Sequence, residues 1–96
     1  MRFKLSFTTE ARDALVALER KNKPKYRKVL KTLGMIELNP KHPGLRMHKY
    51  QSVSGPNGEE VFEAYVEHNT PGAWRVFWHY GPGRGMIRIL NVVPHP

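Results

Sequence analysis

Residues 73–80 read Ala-Trp-Arg-Val-Phe-Trp-His-Tyr, and large apolar side chains occupy every second position of this stretch. Because successive side chains of a β-strand point to opposite faces, the alternation predicts a strand with one buried face. That face would carry Trp74, Val76, Trp78 and Tyr80. We expect the two tryptophans to be core residues rather than platforms for stacking bases, since their neighbours at period two are apolar.

Similar strand patterns lie on both sides of this stretch. Residues 61–67 alternate in the same way, and residues 45–53 and 86–93 predict two more strands, with turns rich in glycine and proline between them. Residues 2–7 also alternate and predict a strand near the amino terminus. All the predicted strands except this first one follow one another without a helix between them.

Two helices are predicted between the first strand and the others. Thr8 or Thr9 offers an N-cap hydroxyl, and apolar residues then recur at helical spacing as far as Arg20. Asn22 is a candidate cap for a second helix, whose apolar stripe runs to about Leu38. Gly34 weakens this helix by about 1 kcal/mol relative to alanine, and a close helix crossing is the usual reason for such a glycine.

This order of elements predicts an α+β fold. We expect the N-terminal strand and a helical hairpin to pack on one face of a mostly antiparallel sheet of about four strands. With 96 residues, the chain is expected to form a single domain over residues 1–96, because either half alone would bury too little apolar surface. The sequence has no cysteine, no signal-like segment and no apolar run of membrane-spanning length, which predicts a cytoplasmic protein that does not interact with membranes.

The charge of the chain is strongly positive and unevenly distributed. The net charge is +8, and residues 1–49 hold thirteen lysines and arginines against four acidic residues. Residues 20–31 contain seven of these cations with no acidic residue among them. A solvated helix surface would account for this run, but a surface that binds phosphates or an acidic protein would account for it equally well.

The sheet face turned away from the helices is predicted to be rich in chemically active groups. If the apolar side chains of the two middle strands face the helices, the opposite face displays Glu63, Tyr65, Glu67, Arg75, Phe77 and His79. Such groups can stack a base and bind a phosphate, although a small surface for binding another molecule would look similar.

Arg75 is the first candidate for a catalytic residue. Its rigid guanidinium fits a phosphate through two hydrogen bonds and would stabilise the charge that develops during transesterification. The alternative is a structural role, in a cross-strand ion pair with Glu63 or Glu67.

Three other residues are candidates for acid–base chemistry. His95 lies just beyond the last predicted strand, and its imidazole could donate a proton to a leaving oxygen, whereas a frayed terminus is the alternative. Glu63 is a candidate base toward a ribose hydroxyl, and His79 is a further candidate catalytic residue. The alternative for Glu63 is a salt bridge between strands, and the alternative for His79 is a hydrogen bond across the sheet.

Six residues are candidates for RNA contacts because they carry a cation or an exposed ring: Lys28, Lys31, Arg46, Lys49, Tyr65 and Phe77. For the four cations, ordinary charged surface is the alternative. No metal site or other cofactor is predicted, since the five histidines show no pair at helical spacing and no thiol accompanies them. The glycines of residues 81–85 do not precede a helix and therefore predict a hairpin turn rather than a phosphate-binding loop.

Four strings of the sequence resemble the RelE/ParE superfamily of toxins from type II toxin–antitoxin systems, and in particular its RelE/YoeB-like branch. They are residues 28–33, Lys-Val-Leu-Lys-Thr-Leu; Asn39-Pro40 with His42-Pro43-Gly44-Leu45; residues 73–78, Ala-Trp-Arg-Val-Phe-Trp; and Val93-Pro94-His95-Pro96. The resemblance extends over nearly the whole chain and includes the element order, the length and the charge.

The resemblance implies a function and a set of partners. Many members of the superfamily are ribosome-dependent endoribonucleases that cut messenger RNA without a metal ion, leave a 2′,3′-cyclic phosphate and so inhibit translation. By that analogy Arg75 supports the phosphate and His95 matches the terminal histidine of the YoeB-like branch. The implied partners are a cognate acidic antitoxin, the ribosome and mRNA, with operator DNA bound only through the antitoxin complex.

The chain also departs from the family pattern. RelE carries lysines on the strand before the arginine, where this sequence has Glu63, Tyr65 and Glu67, and no residue matches the glutamate base of the YoeB branch. The general base is therefore unassigned. Two alternatives stay open: a ParE-like toxin that poisons DNA gyrase and cuts nothing, and a basic, non-enzymatic RNA-binding domain.

Overall fold

The computed structural model describes residues 2–95. Its helices and strands are, in chain order, β1 (Lys4–Phe7), α1 (Thr9–Lys21), α2 (Lys23–Leu38), β2 (His48–Ser54), β3 (Glu60–Tyr65), β4 (Trp74–Tyr80) and β5 (Met86–Pro94), with a single 3₁₀ turn at Pro43–Leu45. Within residues 2–95, none of the helices combines the length and the apolar character needed to span a bilayer.

The five strands form one mixed sheet in the order β1-β5-β4-β3-β2. β1 runs parallel to β5, whereas the other neighbouring strands are antiparallel. The predicted α+β class and the mostly antiparallel sheet are confirmed. The strand count is higher than the four predicted, because the N-terminal strand joins the edge of the sheet instead of lying on its face with the helices.

Both helices begin at predicted caps. The Thr8 side chain accepts a hydrogen bond from the Ala11 amide at 3.1 Å and so starts α1. Asn22 serves both helices, because its backbone N–H donates to the Leu18 carbonyl at 2.8 Å and its side chain accepts from the Lys25 amide at 3.2 Å. One residue between α1 and α2 therefore satisfies backbone groups at both helix ends, which favours a tight hairpin.

The core lies between this hairpin and one face of the sheet. Its fully buried members include Ala11, Val29 and Ile36 from the helices, and Ala64, Val76, Trp78, Ile87, Ile89 and Val92 from the strands. Trp78 stacks on Phe62 with ring centroids 4.9 Å apart, and Trp74 packs at the edge of the same cluster. The assignment of both tryptophans to the core is thus confirmed.

Gly34 does not mark a close helix crossing. A Cβ atom built at this position would meet no heavy atom within 4 Å, so nothing packs against the glycine. The packing explanation offered for it is wrong, and nothing in the structure requires a glycine there.

β2 is shorter than predicted at its start and departs from regular pairing in its middle. Arg46 adopts the left-handed conformation with φ 47° after the 3₁₀ turn, and the strand begins only at His48. His48 pairs with Glu63 and Lys49 with Phe62, but the next partner of β3, Glu60, pairs with Ser54. β2 therefore holds extra residues, and two of them, Tyr50 and Val53, lie beside Phe77 on the sheet face that the helices leave free.

Candidate active site

Arg75 is the second residue of β4 and lies on the sheet face opposite the helices. Its neighbours along the strand, Trp74 and Val76, pack in the core, so alternation directs the guanidinium to the other side. There it forms an ion pair with Glu63 and lies over the ring of Phe77, with Cζ 4.8 Å from the ring centroid. The side chain is 12% exposed, and its Nε is buried without a hydrogen-bond partner among the described residues.

Glu63 connects Arg75 to the imidazole of His48. One carboxylate oxygen accepts from the Arg75 guanidinium, and the other lies 2.7 Å from Nε2 of His48. The Glu63 side chain is only 3% exposed. Since both of its oxygens are engaged, Glu63 is placed to orient its two neighbours rather than to contact a substrate hydroxyl itself.

His48 is the residue that the sequence reasoning missed. It is the first residue of β2, and its Nδ1 lies 3.3 Å from the Arg46 carbonyl oxygen. Unlike Glu63, the His48 side chain is 52% exposed and can reach a substrate. The signal that could have identified it is its pairing with Glu63 across the two strands, which only a correct register of β2 reveals.

A pocket of about 310 Å³ lies beside Arg75. It is lined by Tyr50, Val53, Val61, Arg75, Phe77, Leu90 and Asn91. Tyr50 comes from the irregular part of β2 and meets Phe77 edge to face, with ring centroids 4.8 Å apart. The pocket thus offers aromatic rings and a cation, the combination that suits a base and its phosphate.

His95 continues the pairing of β5 with β4. Its backbone N–H donates to the Ala73 carbonyl at 2.8 Å, so the alternative of a frayed terminus is wrong for this residue. Val93 pairs with Arg75, and His95 follows Val93 by two residues. By alternation, position 95 lies on the same sheet face as Arg75, near the end of the strand.

The remaining RNA-contact candidates fall into two groups. Tyr65 pairs with Arg75 in the sheet register, and Phe77 lies beneath the guanidinium, so both belong to this site. Arg46 and Lys49 are exposed. Lys49 pairs with Phe62 and so lies on the sheet face opposite Arg75, where its ammonium is 2.9 Å from a carboxylate oxygen of Glu60. By contrast, Lys28 and Lys31 lie on α2 and line a different groove.

The prediction that Glu67 lies on the helix-free face is wrong. β3 ends at Tyr65, and the chain beyond it no longer follows the strand alternation. The Glu67 carboxylate turns to α2, where it lies 2.5 Å from Nζ of Lys25 and 3.3 Å from Nζ of Lys28. The hydrogen bond from Lys25 is the main cause that lowers the pKa of Glu67, while burial acts in the opposite direction.

His79 occupies the predicted face of β4, but the expectation of an exposed side chain is wrong. The residue is 2% exposed, and its Nδ1 lies 2.8 Å from the carbonyl oxygen of Tyr80. This burial leaves His79 without access to a substrate. Among residues 2–95, moreover, no cluster of three His, Cys, Asp or Glu side chains could hold a metal ion.

Comparison with known proteins gives a consistent answer at the level of the fold. No protein-family profile matches the sequence, and no curated protein matches it. Solved structures do match over almost the whole chain. The RelE–RelB complex of Pyrococcus horikoshii is similar with a TM-score of 0.69, 20% identity and coverage of 98% of this chain and 96% of that one.

Two other toxin structures are similar to the same extent. The YoeB/ParE toxin from Agrobacterium tumefaciens gives a TM-score of 0.72 at 11% identity, covering 97% of this chain and 99% of that one. The YoeB dimer from Staphylococcus aureus gives 0.68 at 15% identity, with both chains fully covered. The fold that the sequence resemblance implies is therefore confirmed: the chain has the fold of the RelE and YoeB toxins.

Proposed function

We propose that the chain is the toxin of a toxin–antitoxin system and an endoribonuclease that cuts mRNA on the ribosome, thereby inhibiting translation in the cytoplasm. The observation that carries the proposal is the linked set Arg75–Glu63–His48 on the helix-free face of the sheet. It combines a cation for phosphate, a buried orienting carboxylate and an accessible imidazole beside an aromatic pocket.

The proposed reaction needs no metal ion. The ribose 2′-hydroxyl attacks the adjacent phosphorus while the bond from phosphorus to the 5′-oxygen breaks, leaving a 2′,3′-cyclic phosphate and a 5′-hydroxyl. Arg75 stabilises the charge on the phosphoryl oxygens. His48 donates its Nε2 proton to Glu63 in a hydrogen bond, and its Nδ1 lies 3.3 Å from the Arg46 carbonyl oxygen. Once the substrate displaces that carbonyl contact, Nδ1 accepts the proton of the 2′-hydroxyl, and His95 donates a proton to the leaving oxygen.

The proposed partners are a cognate acidic antitoxin, the ribosome and mRNA, with operator DNA reached only through the antitoxin complex. The matching RelE was solved in complex with RelB, and YoeB of Staphylococcus aureus was solved in a heterotetramer with YefM. A net charge of +8 suits both an acidic protein and RNA. Added salt should accordingly weaken the association with either.

The test is to express the chain without an antitoxin and to map new RNA ends on ribosome-bound messages. Cut ends at A-site codons are expected for the wild type. Arg75→Ala, His48→Ala and His95→Ala should each lower cutting by about 10²-fold or more. Arg84→Ala is the matched control, since Arg84 is exposed in the β4–β5 turn, away from the pocket.

One observation favours a second candidate function. Arg75 is mostly buried and already paired with Glu63, as a purely structural arginine would be. A ParE-like toxin that poisons gyrase would need no phosphate-binding arginine. That alternative would be supported over the nuclease if the wild type caused DNA breaks without cutting RNA and Arg75→Lys caused the same DNA breaks.

A further inference from the structure

A second groove, separate from the pocket beside Arg75, runs between α2 and the end of β3. Its volume is about 530 Å³. It is lined by Lys28, Lys31, Thr32 and Met35 of α2 and by Gly44, Tyr65, Val66, Glu67, His68 and Thr70. The two grooves have no residue in common, yet Tyr65 of the second pairs in the sheet with Arg75 of the first.

A row of three rings connects the candidate active site to this groove. The ring of His48, whose Nε2 bonds Glu63, meets Tyr65 edge to face at 5.7 Å between centroids. The Tyr65 ring is also nearly parallel to that of His68, with 6.1 Å between centroids and 22° between planes. Nε2 of His68 lies 3.1 Å from the Gly44 carbonyl oxygen, which fixes the ring in the groove wall. The row therefore leads from the reacting groups to the groove.

The groove keeps a surplus of positive charge. Glu67 is its only acidic lining residue, and Lys25 from outside the lining holds that carboxylate at 2.5 Å. Lys28 is a second, longer partner of Glu67 at 3.3 Å and stays largely exposed. Lys31 is exposed and forms no ion pair within residues 2–95. Both lysines can thus receive phosphates.

We infer that this groove binds the RNA strand that continues from the cleavage site. Bases of the strand stack against Tyr65 and His68, while its phosphates contact Lys28 and Lys31. The inference rests on the proposed function and extends it, because it makes the substrate a single strand several nucleotides long. The aromatic row favours RNA over an acidic peptide, since a peptide would use the lysines but not the stacked rings.

The test measures binding of RNA that cannot be cut. The probes are fluorescent oligonucleotides of two and six nucleotides with every 2′-hydroxyl methylated, titrated with the full chain at several salt concentrations. For the wild type, the six-nucleotide probe should bind at least tenfold more tightly than the two-nucleotide probe. Lys31→Glu and His68→Ala should reduce this ratio to about twofold while leaving the affinity for the short probe unchanged.

Lys23→Glu is the matched control, because it makes the same charge change on α2 outside the groove. It should keep the tenfold ratio. For the long probe, the logarithm of the affinity falls linearly with the logarithm of the salt concentration. Lys28→Ala and Lys31→Ala should each make this slope shallower by about 0.7.

Three outcomes would overturn the inference: a six-nucleotide probe that binds no more tightly than the short one, a ratio that His68→Ala leaves intact, or an equal loss in Lys23→Glu. Cleavage of ribosome-bound mRNA is scored separately. Wild-type cleavage without length-dependent binding contradicts only the groove path, whereas absence of cleavage contradicts the proposed function.

Discussion

Arg75 and Glu63 lie diagonally across β4 and β3 and form an ion pair that is almost closed to solvent. Tyr65 stands opposite Arg75 in the register and Phe77 stands opposite Glu63, so the two charged residues are offset by two residues along the strands. Loss of one partner would leave the other charge buried and unpaired, which costs more than the loss of an exposed pair.

Glu63→Leu is expected to destabilise the protein by about 3 kcal/mol, because the Arg75 charge would remain without its carboxylate. The double variant Glu63→Leu with Arg75→Met should recover most of this loss, since no buried charge remains. Urea unfolding of the single and double variants measures the coupling. Additive losses would contradict the described ion pair.

His48→Ala should lower RNA cutting by about 10²- to 10⁴-fold and remove the dependence of the rate on pH that a titrating base imposes. Added imidazole should restore part of the activity, since a small base could occupy the space left by the side chain. The pH–rate profile of purified ribosome complexes is the measurement. A profile identical to that of the wild type would exclude His48 as the proton acceptor.

Glu67→Gln should destabilise the protein at neutral pH and matter less in acid. The hydrogen bond from Lys25 lowers the pKa of Glu67 in the folded chain, so its contribution is present above the ordinary value of 4.5 and is lost as the pH falls through the folded value. Unfolding free energies at pH 7 and at about pH 3 should therefore differ more for the wild type than for the variant. Glu19→Gln, on the exposed side of α1, is the control.

Gly34→Ala should stabilise the protein by about 0.5–1 kcal/mol, because alanine favours a helix and the added methyl meets nothing. Gly58→Ala is its counterpart. That position is equally open, but its φ of +82° strains any residue with a side chain, so destabilisation is expected. Thermal unfolding of the two variants should shift in opposite directions. A loss of stability in Gly34→Ala would reveal a packing role that the structure does not contain.

Local physical chemistry explains why much of the fold is predictable from the sequence. The caps at Thr8 and Asn22 depend on groups three residues away, and the period-two pattern of β4 depends only on strand geometry. The same pattern directs Arg75 away from the helices. The pairing of β1 with β5 was not predictable in this way, because it joins residues about eighty positions apart.

The sequence by itself determined the two helices, the strands, the core tryptophans and the side of the sheet on which Arg75 lies, since each follows from neighbours within a few residues. Only the tertiary structure decided that Glu63 joins Arg75 to His48, that Glu67 turns to Lys25, and that Tyr50 packs against Phe77. These contacts depend on the register of β2 and on where β3 ends. The hydrophobic pattern and the turns set a strand's register, but the extra residues of β2 interrupt its alternation, so its register is decided by packing in the folded sheet.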